Sequence, residues 1–146
     1  MPQTWAKPER LENCACFSVR KAARAITKQF DCALAPSRLE ATQFSVLAGL
    51  AAARRFTISE LADWLGLDRT TLSRNLRPLV RKGYVSLSRD VDQRRRIVRL
   101  TASGRRKLTT AFPLWRSAQR RLISAFGRHR FVRLLDGLAD IRGLAV

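Results

Sequence analysis

Long apolar runs are missing from this 146-residue chain. No stretch approaches the ~20 residues a membrane-spanning helix needs, and Met1 to Glu12 lacks the apolar core of a signal peptide. Those two absences predict a cytoplasmic protein with no membrane contact. Histidine is nearly absent too, with His129 alone, and Cys14, Cys16 and Cys32 include no Cys-x-x-Cys pair. A closed structural zinc site would therefore have to be assembled between chains. An odd cysteine count without a secretion signal also argues against a disulfide framework. The signatures G-x-S-x-G, G-x-G-x-x-G, the P-loop and H-E-x-x-H do not occur, so nothing points to an enzyme or to a cofactor. Internal repeats, low-complexity tracts and Gly-Ser linkers are missing as well.

Acidic residues are the other shortage. Eleven Asp and Glu stand against 29 Lys and Arg, a net charge of +18. A surface of that sign repels itself unless it meets a polyanion, and nucleic acid is the leading partner. The excess is uneven: between Arg69 and Arg99, ten Lys and Arg face only Asp90 and Asp92. The length allows one domain, or one domain plus helices that a partner must cover.

Hydrophobic spacing gives the order of elements. Residues from about Leu11 to Cys32 read as a helix, with Cys16, Val19, Ala23, Ile26 and Phe30 on one stripe and a stop at Ala35-Pro36. A second helix runs from Ser37 or Leu39 to Ala53, carrying Phe44, Leu47 and Leu50. Phe56 to Ile58 is a candidate short strand. Thr57 and Glu60 have the spacing of a capping box for the helix that follows, with Ser59 as a competing cap. That helix carries Trp64, which reads better as a core anchor than as a stacking platform. After Gly66 and Asp68 comes a basic helix ending at Gly83, with Pro78 expected to kink it near Arg74 to Pro78. Tyr84 to Ser88 and Arg96 to Leu100 alternate like strands around the polar turn Arg89 to Arg95.

This order of helix, helix, strand, basic turn and strand is that of a winged helix-turn-helix. Beyond Thr101 a long helix carries Leu108, Phe112, Trp115, Ala118, Leu122 and Ala125, with Pro113 expected to bend it. A last amphipathic segment, Arg128 to Leu144, carries Phe131, Leu134, Leu135, Leu138 and Ile141. A small winged-helix core cannot cover all of these stripes, which predicts a second subunit. The expected fold is mainly α with a small β-wing, in a single domain over 1–146. Residues 11–53 and 102–144 form dimerisation helices, and 56–100 form the DNA-binding region.

Three pieces of the chain, Ile58-Ser-Glu-Leu-Ala62, Leu67 to Val85, and Asp92-x-Arg94 with Leu100-Thr-x-x-Gly104, resemble the MarR family of bacterial transcription regulators. The resemblance implies a homodimer joined through its terminal helices, placing two recognition helices and two wings on a palindromic operator in double-stranded DNA. It implies groove-facing Arg69, Thr70, Thr71, Ser73, Arg74 and Arg77, a wing Arg94 in the minor groove braced by Asp92, and neighbouring Arg95 and Arg96 that offset the non-basic Gln93. The chemistry suits those roles: Arg pairs with guanine O6 and N7, Thr and Ser reach phosphates or a thymine methyl, and a narrow minor groove attracts a guanidinium. Arg81, Arg89 and Arg99 read as phosphate contacts or solvated charges. The resemblance also implies an effector cavity between dimerisation and DNA-binding regions, with Trp115 as a candidate lining residue.

Leu11-Glu-Asn-Cys-Ala-Cys16-Phe and Ala22 to Gln29 resemble the first helix of the peroxide-sensing OhrR branch, whose reactive cysteine falls at Cys16. The tyrosines that bond the sulfur in that branch are matched here by Arg20 and Phe30. Arg20 lies one turn from Cys16, where its charge favours a thiolate. The competing reading is that Cys16 is a small buried hydrophobe on the first stripe. Cys14 points to the other side of the helix, and Cys32 is about 24 Å along its axis. His129, between Arg128 and Arg130, reads as a surface cation. The expected function is a homodimeric regulator, a repressor released by a small-molecule effector or by cysteine oxidation. The alternative is a sequence-tolerant architectural DNA binder.

Overall fold

The computed structural model describes residues 11, 13–53, 55–89 and 95–144. Helix α1, Ala15–Leu34, gives way to a 3-10 turn, Ala35–Ser37, where the chain reaches Pro36. Arg38 then reverses it at φ 55. Helix α2, Ala41–Ala53, starts a few residues later than the local signals suggest. Its first-turn donor is met from outside the helix: the Ala41 N–H donates to Asp31 Oδ1 of α1 at 2.7 Å. Phe44, Val46, Leu47 and Leu50 are all buried, so α2 is the central helix of the core.

Strand β1, Phe56–Thr57, leads directly into helix α3, Ile58–Leu65. The capping box forms at Thr57 and not at Ser59: the Thr57 N–H donates to Glu60 Oε2 at 2.7 Å, and the Glu60 N–H to Thr57 Oγ1 at 3.2 Å. Gly66, at φ 65, closes α3. Helix α4, Arg69–Arg81, packs Leu72, Leu76 and Leu79 into the core. It runs unbroken through Pro78. One lost backbone bond is outweighed by the buried leucines on either side. Its end is a Schellman turn, with the Tyr84 N–H on Leu79 O and the Gly83 N–H on Val80 O, both at 2.9 Å.

Strands β2, Val85–Arg89, and β3, Arg96–Leu100, form an antiparallel wing in which Leu87 faces Val98. β1 pairs with the other edge of β3, giving the order β1-β3-β2. Helix α5, Ala102–Phe126, is also continuous through its proline, Pro113. Thr101 holds its start: the hydroxyl donates to Gly83 O at 2.6 Å and accepts from the Gly104 N–H at 3.0 Å. Gly104 has to be glycine, because a Cβ there would overlap the carbonyl oxygen of Tyr84.

Trp115 of α5 stacks on Phe44 with ring centroids 5.6 Å apart. Trp64 departs from the expected core anchor. It is 57% exposed, with one ring edge laid on Gly49 of α2, where a Cβ would strike it. Helix α6, Arg128–Gly143, buries only Phe131 and leaves Val132, Leu135 and Ile141 exposed. Along α1, only Phe30 and Leu34 are buried, while Cys16, Val19 and Ala23 lie in the open. Both terminal helices thus carry apolar faces uncovered within one protomer.

Candidate nucleic-acid interface

The arginines of α4 are exposed because the leucines take the inner side. With Leu72, Leu76 and Leu79 inward, the 3.6-residue repeat turns Thr70, Arg74, Arg77 and Arg81 outward. Asp68 fixes the first turn, accepting the Thr71 N–H on Oδ1 at 2.8 Å and the Thr71 hydroxyl on Oδ2 at 2.6 Å. Those bonds, the side-chain one first, hold the Asp68 carboxyl below its ordinary range. Thr71, expected among the groove contacts, therefore spends its hydroxyl proton on the cap.

Arg69 and Ser73 point toward the wing root. Together with Thr57, Ser59 and Glu60 of the α3 start and Arg95 and Arg96 of the wing, they line an open cleft of about 770 Å³. Ser73 and Arg96 also border a second open cleft, of about 660 Å³, with Arg77, Arg81 and Leu87. A polyanion entering either cleft meets guanidinium groups from two different elements, plus serine hydroxyls that can bond phosphate oxygens. Arg69, Ser73, Arg77 and Arg95 of the expected set are thus gathered around these two clefts. Arg74 and Thr70 stand on the outer side of α4. Asp92 and Arg94, the expected brace and minor-groove contact, lie outside the described residues.

The structure adds Ser59 and Glu60, which the sequence marked only as cap residues, to the first cleft, and places Arg96, expected beside Arg95, on both clefts, because β1 and β3 pair and bring the α3 start beside the wing. Arg99 Nη1 donates to Ser88 Oγ at 2.8 Å across the wing, which fixes its guanidinium on the strand face. Glu60 is the one acid among the described residues that line the first cleft. Its carboxyl is held below the ordinary range first by the Thr57 N–H, then by the Thr57 hydroxyl, with smaller contributions from Arg95 and Arg55.

Away from this surface, Cys16 and Cys32 are exposed and Cys14 is half-buried at the position preceding α1. A groove of about 650 Å³ runs between α1 and α5, with Phe30, Leu122 and three alanines on its walls and Lys28, Arg121 and Cys32 along it. Trp115 does not line it; that ring is taken up by Phe44 and Phe112. Among the described residues no cluster of three or more His, Cys, Asp or Glu has metal-binding geometry, and no helix is long and apolar enough to cross a membrane.

Residues 39–96 match the sequence model of the MarR family. The HTH-type transcriptional regulator SarZ of Staphylococcus saprophyticus is 30% identical over 100 residues, 68% of either chain. TtmR of Methylorubrum extorquens, also an HTH-type transcriptional regulator, is 33% identical over 99 residues, 67% of this chain and 51% of TtmR. Among solved structures, the M. tuberculosis transcriptional regulator MosR superposes with a TM-score of 0.79 at 38% identity, over 91% of this chain and 98% of MosR. The transcriptional repressor CouR bound to a 23-mer DNA duplex gives 0.82 at 30% identity, over 93% and 97%. The fold, the cleft between α4 and the wing, and these likenesses agree, and the chain belongs to the MarR family of transcriptional regulators.

Proposed function

We propose that the protein is a homodimeric repressor that reads a palindromic operator with two copies of α4 and its wing, and is not an enzyme. The observation that carries this is the clustering of Arg69, Ser73 and Arg77 on α4 opposite Arg95 and Arg96 of the wing, around clefts open to solvent. MosR has been solved with DNA, as has CouR, at 40% and 30% identity to this chain. Arg69, Thr70, Ser73, Arg74 and Arg77 then face the major groove, with Thr71 as an acceptor only. Arg94 reaches the minor groove, braced by Asp92, and Arg95 contacts the backbone. Occupying a promoter is enough to repress it.

The homodimer is supported by the uncovered apolar faces of α1 and α6, which are the two ends of the chain. Release is by a change in the separation of the two recognition helices, since successive major grooves on one face lie about 34 Å apart. CouR has also been solved bound to p-coumaroyl-CoA. The α1–α5 groove, walled by Phe30 and Leu122, is where this protein would take a small effector. The exposed Cys16 offers a second route, oxidation of its thiol. The protein then works in the cytoplasm, beside the chromosome.

A second reading, an architectural DNA binder, is favoured by one observation. Residues 56–100 hold ten Lys and Arg against five Asp and Glu, so thirteen of the eighteen net charges lie outside the winged helix. Footprinting on the DNA beside the protein's own gene separates the two. A repressor protects an inverted repeat with half-sites about one helical turn apart, and scrambling one half-site abolishes the footprint. Protection that ignores the scramble supports the architectural reading.

A further inference from the structure

An acid in the middle of an arginine cleft calls for an account. Glu60 shares the first cleft with Arg69, Arg95 and Arg96, and a neighbouring hollow with Arg55 and Arg95. Its position there is not accidental rotamer freedom. The capping box ties Oε2 to the Thr57 N–H, and Thr57 is itself paired with Ile97 at the base of the wing. The carboxylate is therefore fixed relative to both α3 and β3. Its bonds to Thr57 leave acceptor capacity available to a guanidinium.

We propose that Glu60 is a specificity-determining residue of the DNA-binding surface, attracting the wing-root Arg95 toward the cleft they both line and repelling phosphates that enter it out of register. The inference rests on the assignment of this cleft to DNA. Two opposed effects act on operator binding. The carboxylate attracts Arg95 toward the cleft, which favours the seated complex, and it repels the backbone, which disfavours it. Only the second acts on unrelated duplex, where no arginine is seated in register and binding is almost wholly electrostatic. The net result is that Glu60 lowers non-operator affinity more than operator affinity. A cap alone would not require the charge, since glutamine completes the same box.

That equivalence supplies the test. Glu60→Gln keeps an oxygen for the Thr57 N–H and removes the charge, and its thermal midpoint should fall by no more than a few degrees, the contribution of the lost charge to the cap. Affinities for operator and for an unrelated duplex of equal length are measured by fluorescence anisotropy, beside Arg69→Ala. The variant should bind unrelated duplex roughly 3- to 10-fold tighter, from repulsion lifted within a Debye length, with operator affinity changed by less than about 2-fold. An equal change on the two duplexes in either direction, or no change on either, overturns the proposal. Arg69→Ala distinguishes that failure from failure of the DNA assignment, because it weakens operator binding wherever the cleft meets DNA.

Discussion

Thr71 gives the Asp68 carboxylate both of its protons, the backbone N–H at 2.8 Å and the hydroxyl at 2.6 Å. The first turn of α4 is thereby fixed at the end that carries Arg69, so a stability feature and a DNA-reading feature share one carboxylate. Asp68→Ala should lower the thermal midpoint by a few degrees and weaken binding to operator. Because the folded-state pKa of Asp68 is depressed, its contribution is complete above the unfolded value near ~4 and disappears as pH falls through the folded one. Thermal melts of wild type and Asp68→Ala should therefore converge on acidification below about pH 4. Curves that stay parallel down to low pH would dissociate the cap from stability.

Two glycines should respond in opposite senses. Gly104→Ala forces a methyl into the Tyr84 carbonyl and should destabilise by about 1–3 kcal/mol despite alanine's better helix propensity. Gly137→Ala meets nothing within 4 Å in mid-helix and should stabilise by up to ~1 kcal/mol. Urea midpoints of the two variants decide, and a tolerated Gly104→Ala would mean that α5 does not approach the strand as described.

What the sequence displayed of this fold was its local chemistry. Thr57 with Glu60, Asp68 before α4, and Gly83 after it are signals read within four residues, and each forms as its spacing implies. Contacts between distant segments were not legible. The cap on Ala41 comes from Asp31 in the preceding helix, and the pairing of β1 with β3 brings Ser59, Glu60 and Arg96 together. Trp64 illustrates the limit of composition: a large aromatic on a short helix suggested burial, yet its ring spans the rim of α2 with more than half its surface in solvent. Pro78 and Pro113 sit inside continuous helices, since a lost backbone bond is a local cost and buried neighbours on both sides hold each helix together.

The terminal helices should control assembly. Leu135 and Ile141 are 48% and 50% exposed on α6, and a charge at either would be buried in a dimer that uses this face. Leu135→Arg and Ile141→Arg should sediment as monomers, or dissociate at concentrations where wild type is dimeric. Unchanged dimers from both variants would move the interface elsewhere.

The thiol route predicts that mild peroxide reduces operator affinity reversibly in wild type, Cys14→Ser and Cys32→Ser, but not in Cys16→Ser. Cys16 is exposed on α1 and near Arg20 in sequence, so it should also alkylate faster than Cys14. A response that survives Cys16→Ser, or no response in wild type, leaves release to a small molecule.

The central claim is that α4 and the wing root read a particular DNA sequence, and not just charge. Its most direct measurement is a competition titration of wild-type protein on operator and unrelated duplex at several salt concentrations. The account predicts a log-log salt slope on the order of −5 or steeper on operator, and a preference for operator of about three orders of magnitude or more near physiological salt. A steep slope with equal affinity for the two duplexes would contradict it and make the protein an architectural binder.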